Sequence, residues 1–176
     1  MKATTDKEGS ITEKCIACGD IRNDKIIPAV GFVTLKTTSY TYDGKAKQPS
    51  VIVEDSGGKN IDSQNYTVIY HNNINVGNAS VTVELKGTYT GTITKTFSIL
   101  PKGTSVSGKV TARPEGFVVK WKKQKKNITG YQVQYSTSKK FKKKAAVTKT
   151  VKKKSATKLA VTKLKPGKKY YVRVRT

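Results

Sequence analysis

The chain has 176 residues, with 35 Lys and Arg against 11 Asp and Glu, and it contains one His, one Trp and two Cys. This length accommodates one ordinary domain or two small ones. The scarcity of His, Cys and carboxylates leaves little material for acid–base, nucleophilic or metal catalysis, so we predict a protein that is not an enzyme. No apolar run reaches the roughly 18 residues that a membrane span needs.

Charge divides the chain into two parts. Residues 1–101 hold 11 Lys and Arg with 10 Asp and Glu, a net charge of +1, whereas residues 102–176 hold 24 against the single carboxylate of Glu115, a net charge of +23. Such a basic segment attracts polyanions in a salt-dependent way, which predicts an anionic cell-envelope polymer or acidic glycan as partner. The alternative is a lysine coat that only keeps a β domain soluble.

Arginine is scarce in the basic part, which contains only Arg113, Arg173 and Arg175. Lysine is a mobile point charge, whereas the guanidinium of arginine grips phosphate through two parallel hydrogen bonds. The composition therefore favours diffuse attraction and disfavours nucleic acid as the partner.

Residues 1–29 are mostly polar, are interrupted by glycines, and contain a Cys-x-x-Cys motif at Cys15 and Cys18. We expect this segment to precede the first domain. Two thiolates at this spacing could hold zinc, but tetrahedral zinc needs four ligands and the chain offers only His71 besides carboxylates. A local disulfide or reduced pair and a zinc half-site completed elsewhere both remain open, and redox catalysis is disfavoured because no βαβ pattern surrounds the motif. We expect no other cofactor.

Residues 30–100 alternate apolar and polar side chains in short runs closed by Gly, Asn and Asp. This pattern predicts antiparallel strands with one buried face, packed as a β-sandwich. The residues expected to point inward are Val51 and Val53; Tyr66, Val68 and Tyr70; Ala79, Val81, Val83 and Leu85; and Ile93, Phe97 and Ile99.

Four short motifs in this segment resemble a bacterial Ig-like module that is repeated in surface proteins of Gram-positive bacteria. They are residues 39–44, 65–70, 75–79 and 89–92. The Cys-x-x-Cys-Gly segment likewise resembles a knuckle-like repeat of exported Gram-positive proteins, whose further ligands lie upstream. These resemblances imply an exported spacer or adhesion module, and hence that this sequence is a piece of a longer secreted or cell-wall protein.

Residues 101–176 begin at Pro101-Lys102-Gly103, a plausible joint between domains, and continue the two-residue alternation. We expect Phe117, Val119 and Trp121 to share one buried face, and Tyr131, Val133 and Tyr135 another. The fold prediction for the whole chain is therefore all-β, with two tandem β-sandwiches at 30–100 and 101–176.

The second sandwich resembles a fibronectin type III domain. The residues that carry the resemblance are Trp121, the strand at 130–135, the corner at 164–166 and Tyr170. In the family, a tyrosine at this corner ties its hydroxyl to the backbone, and the resemblance assigns that role to Tyr170. The family also has a further strand after the one that ends here at Thr176. We expect either that the domain continues or that a protein partner supplies a strand at the open edge.

One outward face of the second sandwich is the candidate ligand-binding site. If Tyr170, Val172 and Val174 point inward, the alternate residues of that strand point outward, beside those of the neighbouring strand. The candidate residues are Tyr171, Arg173, Arg175, Gln132 and Gln134. Three lysine runs, at 122–126, 139–144 and 152–154, fall between the predicted strands and should form mobile basic rims.

The function predicted from the sequence is a set of non-enzymatic spacer or adhesion modules of an exported bacterial cell-surface protein, whose basic half binds anionic polymer. Two alternatives remain. The modules could be accessory substrate-binding parts of a secreted multidomain hydrolase, or the basic half could bind nucleic acid.

Overall fold

The structure is a computed structural model that describes the backbone of residues 1–176 and all side chains except those of residues 22–24 and 143. The fold is all-β, as the alternation predicted. Its strands are β1 (Gly9–Lys14), β2 (Ile21–Ile27), β3 (Val30–Leu35), β4 (Ser39–Thr41), β5 (Val51–Asp55), β6 (Tyr66–His71), β7 (Gly77–Leu85), β8 (Gly91–Leu100), β9 (Thr111–Arg113), β10 (Gly116–Lys120), β11 (Tyr131–Ser136), β12 (Ala146–Val151), β13 (Lys158–Val161) and β14 (Tyr171–Arg175). Short 3-10 turns lie at Ser63–Asn65 and Lys143–Ala145.

The chain forms two compact units. The first comprises Met1–Tyr40 and Gly44–Leu100, and the second comprises Thr41–Asp43 and Pro101–Thr176. In the part of the chain that the structure describes, no helix is long and apolar enough to cross a membrane.

The first unit is built on a four-stranded antiparallel sheet in the order β4-β8-β7-β6, together with the pairs β3-β5 and β1-β2. Strand β7 lies between β6 and β8, and it pairs with both without a register shift. The side chains predicted to point inward are buried or half-buried, and Val81, Val83 and Ile99 are almost completely inaccessible. The two-residue period thus assigned the faces of these strands correctly.

Residues 1–29 pack within the first unit. The backbone of Ala3 donates to the carbonyl of Thr88 and accepts from the amide of Thr90, and its side chain is fully buried. Ala3 and Ile27 belong to the same apolar cluster as Val53 and Val83. The segment that we expected to precede the first domain therefore contributes to the core of the first unit.

The second unit contains two three-stranded antiparallel sheets, in the orders β13-β10-β9 and β12-β11-β14. Their facing side chains form one apolar cluster that includes every inward residue predicted for β10 and β11, and Trp121 beyond the end of β10. Aromatic rings make much of this cluster. The ring of Trp121 lies 5.2 Å from that of Tyr131, and the ring of Phe117 meets that of Tyr135 edge-on at 5.7 Å.

Tyr131 ties its hydroxyl to the backbone at two places. It accepts a hydrogen bond from the amide of Gln124 at 2.9 Å and donates one to the carbonyl of Lys154 at 3.3 Å. The fibronectin type III resemblance assigned this kind of fastening to Tyr170, whose ring instead contacts Tyr135 edge-on, with centroids 6.3 Å apart. Tyr131 therefore joins the loops on either side of the β11–β12 hairpin to the core.

The position immediately before β11 is occupied by Gly130, where a larger side chain would not fit. A methyl group on its Cα would overlap the carbonyl oxygen of Val151, at the end of the neighbouring strand β12. Backbone atoms held in a strand pair cannot move away as the tip of a flexible side chain could. Close approach of the two backbones thus requires glycine at this position.

We expect Gly130→Ala to lower the free energy of unfolding of the second unit by about 2 kcal/mol or more, as overpacking of a rigid site does. Gly103→Ala is the matched control, since nothing lies within 4 Å of the methyl group that it adds. Urea unfolding of both variants can be followed by the fluorescence of Trp121, the single tryptophan of the chain. Equal midpoints for the two variants would contradict the steric argument.

Candidate functional site

The outer face of the β12-β11-β14 sheet carries the candidate binding residues in rows across the strands. Strand pairing places Gln132 between Thr150 and Arg175, and Gln134 between Thr148 and Arg173. Directly opposed residues on paired strands project to the same side of a sheet. The structure therefore brings together four of the five predicted residues in two adjacent rows.

Tyr171 occupies the next row, where it pairs with Ser136 of β11. Its ring lies 5.4 Å from the ammonium nitrogen of Lys169. The fifth predicted residue thus shares the face with the two arginines but stands at its end, with a cation over its ring.

Each arginine is held by the glutamine beside it. The Nε of Arg173 donates to the Oε1 of Gln134 at 2.7 Å, and the Nε of Arg175 donates to the Oε1 of Gln132 at 2.8 Å. A terminal nitrogen of Arg175 also donates to Gln132. These bonds fix both guanidinium groups while leaving their positive charge unneutralised, because the partner is a neutral amide.

Two further side chains complete the face and were not singled out in the sequence. Thr148 accepts a hydrogen bond from the amide nitrogen of Gln134 at 3.2 Å. Phe141 stacks under the guanidinium of Arg173, whose carbon lies 4.3 Å from the ring centroid. Phe141 is the one apolar residue in the lysine run 139–144, but nothing in the sequence indicates its contact with Arg173.

The two rows line a concavity of about 320 Å³, formed by Gln132, Gln134, Thr148, Arg173, Val174 and Arg175. A second concavity of about 680 Å³ shares Gln132 and Arg175 with the first and continues to Lys152. Neither concavity is lined by an Asp or Glu side chain. The surface can accept anionic groups and donate hydrogen bonds.

The three lysine runs lie outside the strands, as predicted. Residues 122–126 follow β10, residues 139–144 join β11 to β12, and residues 152–154 follow β12. The described lysines of these runs are exposed. They place positive charge around the ends of the sheets without burying it, which avoids the cost of desolvating an ammonium group.

Strand β14 lies at an edge of its sheet and pairs with β11 along one side. Beside it lies a groove of about 630 Å³ whose apolar lining includes Val106, Phe117, Leu164 and Val172. This is the edge at which the sequence predicted a protein partner, and that partner stays a prediction.

Cys15 and Cys18 lie in the turn between β1 and β2, and no disulfide joins them in the structure. The amide of Cys15 donates to the carbonyl of Asp20, and the amide of Gly19 donates to the carbonyl of Cys15, which closes the turn. A hydrogen bond from the side chain of Cys18, and then those from the backbone amides of Cys18 and Ala17, lower the pKa of Cys15, while burial opposes them.

Among the described residues, no group of three or more His, Cys, Asp or Glu side chains is placed to hold a metal ion. Zinc binding by Cys15 and Cys18 therefore remains a prediction, with two ligands still to be supplied. A disulfide between them also remains a prediction.

Residues 100–176 match the family model of the fibronectin type III domain. This confirms for the second unit the resemblance carried by Trp121, residues 130–135 and the corner at 164–166. Fibronectin type III domains are generally non-catalytic, which suggests a non-enzymatic module. The Ig-like resemblance of residues 30–100 stays a prediction. Comparison of the chain with curated proteins gives no match, and comparison with solved structures gives none.

We expect Cys18→Ala to move the alkylation of Cys15 by iodoacetamide to higher pH. The substitution removes the hydrogen bond that contributes most to the lowered pKa of Cys15, so its reactive thiolate forms only at higher pH. Alkylation rates at Cys15 can be measured across pH by peptide mass spectrometry. Ile16→Ala is the control, because this fully exposed side chain lies in the same turn. An unchanged profile in Cys18→Ala would show that Cys18 does not activate Cys15.

Proposed function

We propose that this chain is a pair of non-enzymatic β-sandwich modules of an exported bacterial cell-surface protein, in which the second unit binds an anionic polymer. The first unit serves as a spacer or adhesion module. The fibronectin type III match supports the modular, non-enzymatic part of this proposal. The Ig-like and knuckle-like motifs of residues 1–100 support a Gram-positive surface context.

The observation that carries the proposal is the uneven charge of the two parts of the chain. Residues 102–176 hold 24 Lys and Arg with one carboxylate, whereas residues 1–101 are nearly balanced. Charges of one sign on exposed loops raise the local concentration of polyanions and release their counterions on binding. A lysine coat that only kept the protein soluble would not need to be confined to residues 102–176. Added acidic residues also improve solubility more than added lysines do.

The fixed arginines distinguish this surface from a purely mobile coat. Arg173 and Arg175 are each hydrogen-bonded to a glutamine at 2.7–2.8 Å and face a common concavity. A guanidinium that is already oriented loses less conformational entropy when it binds an anion. The mobile lysines would then attract the polymer and the sheet face would hold it.

We expect the full chain to bind immobilised anionic wall polymer at low salt and to leave it as salt rises, with no retention on neutral dextran. Four Lys→Gln substitutions in the second unit, at Lys139, Lys140, Lys152 and Lys153, should lower the salt concentration of elution clearly. The same substitutions at four exposed lysines of the first unit are the matched control: Lys7, Lys36, Lys86 and Lys95. Each set of substitutions removes four positive charges, so the two variants have the same net charge.

Equal effects of the two sets of substitutions would contradict the proposal, because retention would then follow total charge alone. Absence of retention at low salt would contradict it directly. Heparin and single-stranded DNA on parallel columns test whether an acidic glycan or a nucleic acid is held more strongly.

A further inference from the structure

We propose that the outer face of the β12-β11-β14 sheet is a site for a linear phosphodiester polymer of a small polyol, with successive phosphates bound by Arg173 and Arg175. This inference rests on the proposed function, since it names the polyanion and the residues that select it. It assigns recognition to two arginines and leaves diffuse attraction to the lysines.

Neighbouring side chains orient the guanidinium groups of Arg173 and Arg175. Gln134 and Gln132 accept hydrogen bonds on the Nε side of Arg173 and Arg175, and Phe141 covers one face of Arg173. The edge of each guanidinium that carries its two terminal nitrogens is the edge suited to a phosphate, whose two free oxygens match a pair of parallel N–H groups.

The concavity carries positive charge that no neighbouring side chain neutralises. The residues that line the concavity include two cations and no carboxylate, and the amide partners of the arginines are neutral. Glu115, the only carboxylate of residues 101–176, lies in the turn between β9 and β10. Two like charges held side by side repel each other, and an anion bound to each removes that repulsion.

Spacing selects the polymer. Arg173 and Arg175 are two residues apart on one strand, so their attachment points are about 7 Å apart. That span contains six covalent bonds of extended peptide chain. A polymer of 1,3-linked glycerol phosphate also has six backbone bonds for each phosphate, so the repeat of its phosphates matches the repeat of the two arginines along the strand. The second concavity extends the path from Arg175 to Lys152.

The neighbouring side chains favour a polyol over a nucleic acid. Single-stranded nucleic acids have the same six-bond repeat, but their binding depends on aromatic side chains that stack with the bases. The rings of Phe141 and Tyr171 each have a cation over one face, and the one aromatic residue that lines either concavity, Tyr131, is buried. Thr148 and the glutamine amides instead offer hydrogen bonds of the kind that hydroxyl groups make.

The test uses the full chain and end-labelled oligomers of matched length, with fluorescence anisotropy as the readout. Arg173→Gln/Arg175→Gln should weaken binding of poly(glycerol phosphate) at least about tenfold, because two charge-assisted contacts are lost. The matched control, Lys125→Gln/Lys126→Gln, removes the same charge from an exposed loop and should weaken binding about threefold or less. Arg173→Lys/Arg175→Lys keeps the charge and should still lose most of the affinity, since the paired N–H groups are gone.

A second measurement on the unaltered chain tests the spacing even if a variant folds poorly, which Trp121 fluorescence would reveal. Poly(1,5-ribitol phosphate) has eight backbone bonds for each phosphate, about 9 Å when extended. At equal phosphate concentration it should bind more weakly than poly(glycerol phosphate), and oligothymidylate should also bind more weakly.

The outcomes separate this inference from the proposed function. Equal binding of the glycerol and ribitol polymers, or equal losses in the arginine and lysine variants, would overturn the site while leaving diffuse polyanion binding intact. Tighter binding of oligothymidylate would overturn the choice of polymer. Failure of the unaltered chain to bind any of these polyanions would overturn both proposals.

Discussion

The second unit depends on the register of β11 between its two neighbours. Strand β11 pairs with β12 over its whole length and with β14 from Gln132 to Ser136, without a bulge. Tyr131, Val133 and Tyr135 therefore point into the core, while Gln132 and Gln134 point out. A slip of one residue would expose three buried side chains and bury two amides, so the apolar core fixes the geometry of the outer face. The pairing of β11 therefore positions both the core residues and the candidate binding residues.

Charge opposes the stability that this core provides. With a net charge of +23, residues 102–176 repel themselves, and the repulsion falls as salt shortens the Debye length to about 8 Å at physiological ionic strength. Placing most lysines in loops keeps them hydrated and separated. A polyanion that binds the native state would stabilise it through the same charges, since any ligand that prefers the folded form raises the free energy of unfolding. Stability and the proposed polyanion binding would thus be linked in this unit.

Most of the strand faces could be predicted from the sequence, because burial on alternate residues is a local signal. The period of two identified the inward residues of β7, β10 and β11, and the turn residues around them. It also placed Arg173 and Arg175 beside Gln132 and Gln134, once β14 was assumed to neighbour β11. Strand order came from the resemblance to a fibronectin type III domain, since periodicity alone does not specify which strands pair.

Contacts made by loops and by distant segments could not be predicted in this way. Phe141 follows two lysines in a run with no periodicity, so nothing in the sequence indicated that it stacks with Arg173. Ala3 is small and surrounded by polar residues, yet it is buried against the turn around Tyr89. The hydroxyl of Tyr131 reaches two loops that are distant from each other in the sequence. Each case depends on tertiary packing rather than on local pattern, and each shows why the sequence could suggest the face but not its details.

The uneven distribution of side chains has a consequence for how a bound polymer could be released. The residues that usually change charge near neutrality, His71, Cys15 and Cys18, all lie in residues 1–100. The basic unit therefore contains no histidine or cysteine, and all its cationic side chains are lysines and arginines. If the second unit holds a polyanion as proposed, a rise in ionic strength would be the change of medium that releases it.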